Sequence, residues 1–199
     1  MVLNYKPYIG VVLNIDYDHP DYFKNYNDYL KSLKMKTIIK PFESIYLSRI
    51  AQLTNKSNQF NLTTKRYTQN EIEEKANDKN YITLYGKLED KFGDNGVVSL
   101  IIGKKEKDLL NIDLWLMSCR VLKRDMEYAM MDELVRVCIE NNIKEIRGYY
   151  YPTLKNKMVK NFYELQGFTK ISEDDDENTI WQYIIKDYKN KNKFIEVVK

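Results

Sequence analysis

Cys119, Arg120, Lys123, Arg124 and Asp125 crowd the most chemically capable stretch of this sequence. The apolar run before them, residues 112–119, reads as an inner strand. Ile112, Leu114, Leu116 and Ser118 fall on one face, and Trp115, Met117 and Cys119 on the other. From Met126 the spacing becomes three and four, with Ala129, Met130, Leu134, Val137 and Cys138 on one helical face. The turn between, Arg120, Val121, Leu122, Lys123, Arg124 and Asp125, therefore sits at a helix N-terminus. Free backbone N–H groups and the helix dipole favour an anion there, and a phosphate-bearing ligand is expected. A thiolate at Cys119 can carry an acyl group between donor and acceptor, and Arg120 with the helix N-terminus favours its charged form. Against this, cysteine is often buried, and the lone histidine, His19, has no evident tie to Cys119; a packed thiol is the alternative.

Two other stretches invite chemical readings. A short apolar run at residues 9–13 leads to Asp16 and Asp18, a pattern that can hold Mg²⁺. Too little chain follows for a phosphotransferase, so a solvated acidic turn is expected and no metal. The polar block of residues 55–64 includes Asn58, Gln59, Asn61 and Thr63. It reads equally as a loop bonding its own backbone or as a substrate-facing loop offering donors and acceptors to a polar, uncharged group. Asp90 precedes and Asp94 lies within a Gly-Asp-Asn-Gly turn at residues 93–96, where such residues serve steric ends.

These residues need elements to hold them. The 199 residues suffice for one domain with an appendage, and a net charge of +3 is too mild to indicate nucleic acid. Two cysteines without metal-like spacing suit a reducing compartment. Without a secretory leader pattern or a long apolar run, neither secretion nor membrane insertion is expected, and the cytoplasm is. Helical spacing runs over residues 22–33 and 44–53, with a strand at 35–39 stopped by Pro41. Thr68 and Glu71 have capping-box form for a helix to about Asn77. Strands at 81–89, 97–102 and 112–119 form an antiparallel meander before the helix from Met126. A strand at 143–150, a helix at 154–166 ending at Gly167, and a closing hairpin at 168–171 and 180–185 follow. The acidic run at 172–177 is its loop. The predicted architecture is α+β, a mixed, mostly antiparallel sheet flanked by helices. Residues 1–21 read as an N-terminal extension, 22–185 as the domain and 186–199 as a basic, mobile tail.

That element order is also the order of the GNAT acyltransferase fold. The motifs Gln52-Leu-Thr-Asn-Lys-Ser-Asn-Gln-Phe-Asn-Leu-Thr-Thr-Lys-Arg-Tyr67, Asp90-Lys-Phe-Gly-Asp-Asn-Gly96, Leu116-Met-Ser-Cys-Arg-Val-Leu-Lys-Arg124 and Tyr151-Pro-Thr-Leu-Lys-Asn156 resemble the C-terminal GNAT-like half of FkbH-like proteins. Longer members of that family join this half to a HAD-type phosphatase domain. The resemblance implies transfer of a glyceryl-type acyl group to or from the phosphopantetheine thiol of an acyl carrier protein. A separate HAD-type phosphatase chain is a further implied partner. Acyl-CoA in place of the carrier, serving sugar or surface-polysaccharide biosynthesis, is the rival reading; a non-catalytic docking module is the third.

By resemblance to the GNAT fold, the focal strand, ending in Met117 and Ser118, would line the pantetheine arm, and the turn 120–125 would hold phosphate. That turn lacks the small residues usual in the fold, and Asp125 places a carboxylate there, which suits a single phosphodiester better than the diphosphate of coenzyme A. Asp125 is expected to cap the helix as well. Asn161-Phe-Tyr-Glu-Leu-Gln-Gly-Phe168 matches the fold's late tyrosine signature, which makes Tyr163 the implied acid for the leaving thiolate. Asn58, Gln59, Asn61 and Thr63 would meet the acyl group or acceptor, and Asn156 would cap a helix or touch pantetheine.

Overall fold

The computed structural model describes residues 25–198. The early strand, Asp16, Asp18 and His19 lie outside the described residues. Asn25 opens α1 (Tyr26–Ser32) by accepting the Asp28 N–H. β1 (Met35–Lys40) alternates buried and solvent-facing residues up to Pro41. A 3-10 turn, Ser44–Tyr46, enters α2 (Leu47–Lys56), which buries Leu47, Ile50 and Leu53. A two-residue strand, β2 (Phe60–Asn61), follows inside the polar block, where none was expected. The Thr68 hydroxyl accepts the Glu71 N–H while the Glu71 carboxylate accepts the Thr68 N–H, so the capping box starts α3 (Gln69–Asn77) as expected.

Next come the meander strands β3 (Tyr81–Asp90), β4 (Gly93–Glu106) and β5 (Leu109–Met117), then α4 (Met126–Glu140) and β6 (Glu145–Tyr150). The chain closes with α5 (Phe162–Leu165), β7 (Thr169–Glu173), β8 (Thr179–Ile184) and β9 (Ile195–Val198). The sheet order is β7-β8-β6-β5-β4-β3-β1-β9, with β2 beside β5. Two pairs, β5 with β6 and β1 with β9, are parallel, and the rest are antiparallel. One core face packs Ile101, Ile112 and Trp115 with Met126, Met130 and Leu134 of α4. The other packs Leu100, Leu114 and Leu116 with Ile50 and Leu53 of α2 and Ile72 of α3.

Four expectations change. The strict alternation of the focal strand breaks at Asp113: Ile102 faces Leu114 while Gly103 faces Ile112, so Asp113 is an extra residue on β5. The bulge puts Ile112 on the same face as Trp115 and Met117. The hairpin turn lies at residues 91–92 because Asp90 Oδ1 accepts the Phe92 N–H at 2.8 Å, and residues 93–96 join β4. The helix expected over 154–166 shrinks to a 3-10 turn, Lys157–Val159, and α5, because Asn156 and Asn161 adopt non-helical backbone. Finally, the basic tail is folded rather than loose: β9 pairs with β1. Asp132 of α4 holds the approach to it, accepting the Tyr188 hydroxyl and the N–H groups of Lys191 (2.9 Å) and Asn192 (3.0 Å).

Gly148 on β6 lies under the ring of Tyr163; a Cβ there would come within 2.2 Å of a ring carbon. Tyr163 is in turn packed against the rings of Phe162, Phe168 and Trp181. Overpacking costs about 1–3 kcal/mol. Gly148→Ala is therefore expected to lower the urea midpoint by a corresponding amount, and an unchanged midpoint would show that the ring is free to shift.

Candidate functional site

At the C-terminal end of β5 the chain leaves the sheet through Met117 and Ser118, makes a 3-10 turn, Cys119–Val121, and reaches α4 through two left-handed residues, Lys123 and Asp125. A cleft of about 830 Å³ opens over this exit. α2 supplies Arg49, Leu53 and Lys56 to its wall, and the next loop and the start of β2 supply Ser57, Asn58, Gln59 and Phe60. The end of β5 and the 3-10 turn after it supply Met117, Ser118, Cys119 and Arg120, and the loop after β6 supplies Leu154 and Lys155. A second hollow of about 300 Å³ shares Ser57, Asn58, Leu154 and Lys155 and adds Asn61, Thr64, Arg66 and Thr153. Among the described residues four cations line the larger cleft and no carboxylate does. Cys119 is a free, solvent-facing thiol, whereas Cys138 is buried. The Arg120 guanidinium donates to Ser118 Oγ at 3.4 Å and to the Asn95 carbonyl at 3.2 Å.

The phosphate seat expected at the start of α4 is furnished otherwise. Arg124 is committed to Asp90 at 2.7 Å, and Asp90 also takes Asn95 Nδ2 at 3.1 Å. The Lys123 carbonyl accepts the Tyr26 hydroxyl of α1, Val121 is buried, and Leu122 packs on the core. Asp125 does not cap the helix with its side chain; its own backbone is left-handed (φ 65°), and burial pushes its carboxyl upward against the pull of the Lys193 N–H and charge. Glu127 follows in the first turn. That residue is half-buried overall, but its Oε2 is sealed without a hydrogen-bond partner. Burial first, and the charge of Asp125 after it, push the Glu127 carboxyl up to about 7 despite its own N–H. Two carboxyls of the chain thus sit where an incoming anion was expected.

β5 and β6 part beyond Asn111, and the chain fills this split as well. β5 pairs with β6 only through Leu109, Leu110 and Asn111. Beyond that, β2 takes the free edge of β5, with Phe60 opposite Met117 and Asn61 opposite Leu116. Leu62 bridges the gap, donating to the Trp115 carbonyl at 3.1 Å and accepting the Tyr151 N–H at 2.9 Å. Thr63 Oγ1 donates to the Asp113 carbonyl at 2.8 Å. Asn156, fully buried, donates through Nδ2 to the carbonyls of Asn61 (3.0 Å) and Tyr151 (2.9 Å) and accepts the Thr153 N–H at 2.7 Å. Asn61 Oδ1 accepts the Thr64 N–H at 2.9 Å. β2, Leu62 and Thr63 therefore occupy the edge of β5 that was expected to line a pantetheine arm.

The polar block consequently divides. Asn58 and Gln59 line the cleft, while Asn61 and Thr63 are buried, holding backbone; Asn156 belongs with the latter. Asn58 accepts Arg66 at 2.6 Å. Tyr163 lies in the core with no exposed surface and outside the cleft lining. The Tyr149 backbone approaches its phenol without making a hydrogen bond, and burial drives the phenol far above its ordinary range. Arg49, Lys56 and Lys155 were not singled out from the sequence. A signal for two of them existed, because Arg49, Leu53 and Lys56 are four and three apart and share one face of α2. Among the described residues no group of three or more His, Cys, Asp or Glu is placed to hold a metal, and no helix is long and apolar enough to cross a membrane.

No protein-family model and no curated protein matches this sequence. Solved structures do. An acetyltransferase of the GNAT family from Staphylococcus aureus superposes with a TM-score of 0.57 at 13% identity, over 75% of this chain and 99% of that one. Ard1 from Thermoplasma volcanium gives 0.56 at 20% identity, over 74% and 97%. The PaiA N-acetyltransferase of Thermoplasma acidophilum, in complex with coenzyme A, gives 0.54 at 16% identity, over 75% and 99%. The chain has the GNAT acetyltransferase fold, as its element order implied.

Glu127 yields a pH test. Its carboxyl titrates higher in the folded chain than in the unfolded one, so the folded state holds the extra proton and stability falls as pH rises from the ordinary carboxyl range through about 7. Glu127→Gln is expected to be more stable than the parent by about 1–3 kcal/mol near about pH 8, with the gap closing toward about pH 4.5. Urea titrations at both pH values check this, and a pH-independent gap would refute it.

Proposed function

We propose that this chain is an acyltransferase that moves a small polar acyl group, glyceryl-type by its resemblance, to or from the phosphopantetheine thiol of an acyl carrier protein. The observation that carries this reading is the solvent-facing thiol of Cys119 in a cation-lined cleft at the end of β5, within an acyltransferase fold. Of the two reactive candidates, Cys119 is the one a substrate can reach. Its sulfur forms a bond to the acyl carbon as that carbon's bond to the leaving group breaks, and the thiol proton departs with the leaving group. The carrier thiol then takes the acyl carbon and returns a proton to Cys119. Asn58 and Gln59, on the same wall, offer amide donors and acceptors to the hydroxyls of a polar acyl group.

Coenzyme A as donor is a second reading, supported by the structural neighbour that is complexed with it. The filled split and the carboxyls at α4 count against its fold-typical seat. A separate HAD-type phosphatase chain is the partner the resemblance adds.

Intact-mass spectrometry of a holo carrier protein incubated with acyl donors tests the proposal. Parent chain, Cys119→Ala and Tyr163→Phe are compared. The expected result is an acyl adduct on this chain and a mass gain on the carrier, both reduced at least about a hundredfold by Cys119→Ala. Tyr163→Phe is expected to retain transfer and to cost no stability, since it removes a buried hydroxyl that lacks a partner. Transfer abolished by Tyr163→Phe and retained by Cys119→Ala would replace the relay with direct attack. Absence of transfer with every donor, carrier and coenzyme A alike, would sink the function.

A further inference from the structure

We infer that Arg49, Lys56, Arg120 and Lys155 form the seat of a single phosphate ester, that of a pantetheine-type arm, displaced from the start of α4 to the cleft beyond β5. The rest of the ligand rests on the acyl-transfer reading; the seat itself is argued from charge and enclosure. None of the four cations forms an ion pair with a described residue, although eleven such pairs occur elsewhere. The arginines divide the same way. Arg124, Arg136 and Arg147 each hold a carboxylate. Arg49, Arg66 and Arg120 hold none, and all three line the cleft or the hollow that adjoins it.

Like charges gathered around one concave space repel one another and focus a positive potential into it, which an anion relieves. A carboxylate needs only one guanidinium fork, whereas a phosphate ester presents several peripheral oxygens to cations from different sides. Three separate elements contribute here: α2, the 3-10 turn after β5, and the loop after β6. The start of α4 has the opposite character, because Asp125 and Glu127 occupy it and Arg124 is bound to Asp90. Cys119 lies on the wall of the same cleft, so a bound phosphate and the reacting thiol share one space.

Isothermal titration with pantetheine 4′-phosphate and with unphosphorylated pantetheine tests the seat. The phosphorylated compound is expected to bind and the other not, with affinity falling as salt rises. Replacing both exposed lysines, Lys56→Ala with Lys155→Ala, is expected to weaken binding by on the order of tenfold or more. Lys123→Ala, at the start of α4, is expected to leave it unchanged. Equal binding of both compounds, no binding, or loss with Lys123→Ala but not with the lysine pair would overturn the inference. Carrier acylation without this binding would overturn the seat and leave the transferase reading intact. Phosphate-dependent binding with no transfer from any donor would do the reverse.

Discussion

The side-chain amide of Asn156 holds together the region on which every functional reading of this molecule depends. It is fully buried, and both its donor hydrogens and its oxygen are used on backbone groups: the Asn61 and Tyr151 carbonyls and the Thr153 N–H. A buried amide so satisfied contributes on the order of 1 kcal/mol per hydrogen bond, and removing it would also strand those backbone groups away from water. Its geometric effect is larger than its energy. By tying the loop after β6 to the segment 60–63, it keeps β2 wedged along β5 where β5 and β6 part company. The sheet is thereby continuous, and the end of β5 opens into the cleft.

The charges around β5 are sorted by the partners within their reach. Within one turn, Arg120 and Arg124 meet opposite fates. Arg124 is drawn back to the β3 carboxylate of Asp90, while Arg120 reaches over Ser118 toward the Asn95 carbonyl and remains on the cleft wall. Asp113, the bulged residue of β5, gathers Lys65, Lys75 and the Tyr67 hydroxyl on the far side of the polar block. Those hydrogen bonds and charges hold its carboxyl below its ordinary value even though burial works against them. None of the cations lining the cleft pairs with a carboxylate among the described residues.

Much of the fold was legible from periodicity. The meander, α4 and the capping box at Thr68 announce themselves because each is specified by neighbours a few residues apart. Elements specified from a distance were not. β2 is two residues long and exists only because β5 offers an edge and Asn156 a clamp. The Asp113 bulge shows in sequence as one polar residue in an apolar run, which pleating alone would place on either face. β9 looks like a basic tail until β1 and Asp132 are available to receive it. The site follows the same division. Asn58, Gln59, Cys119 and Arg120 were singled out by chemical type and do line the cleft. Asn61, Thr63, Asn156 and Tyr163 have chemically able side chains, but their surroundings turn that ability inward. Asp125 has the right type for a cap and the wrong backbone, a distinction no residue list conveys.

β9 carries a consequence for how the domain comes into being. A ribosome delivers β1 well before β9, so through the synthesis of the segment between them the outer rim of β1 lacks the described strand that pairs with it. β1 can build inward onto β3 as soon as the meander emerges, yet its outward-facing amides and carbonyls stay uncovered until residues 195–198 arrive. An uncovered rim of that kind is a template for the strands of other chains. Nascent chains stalled before that point would be the aggregation-prone population, and the closing step joins segments at opposite ends of the described sequence, the kind of contact that forms slowly.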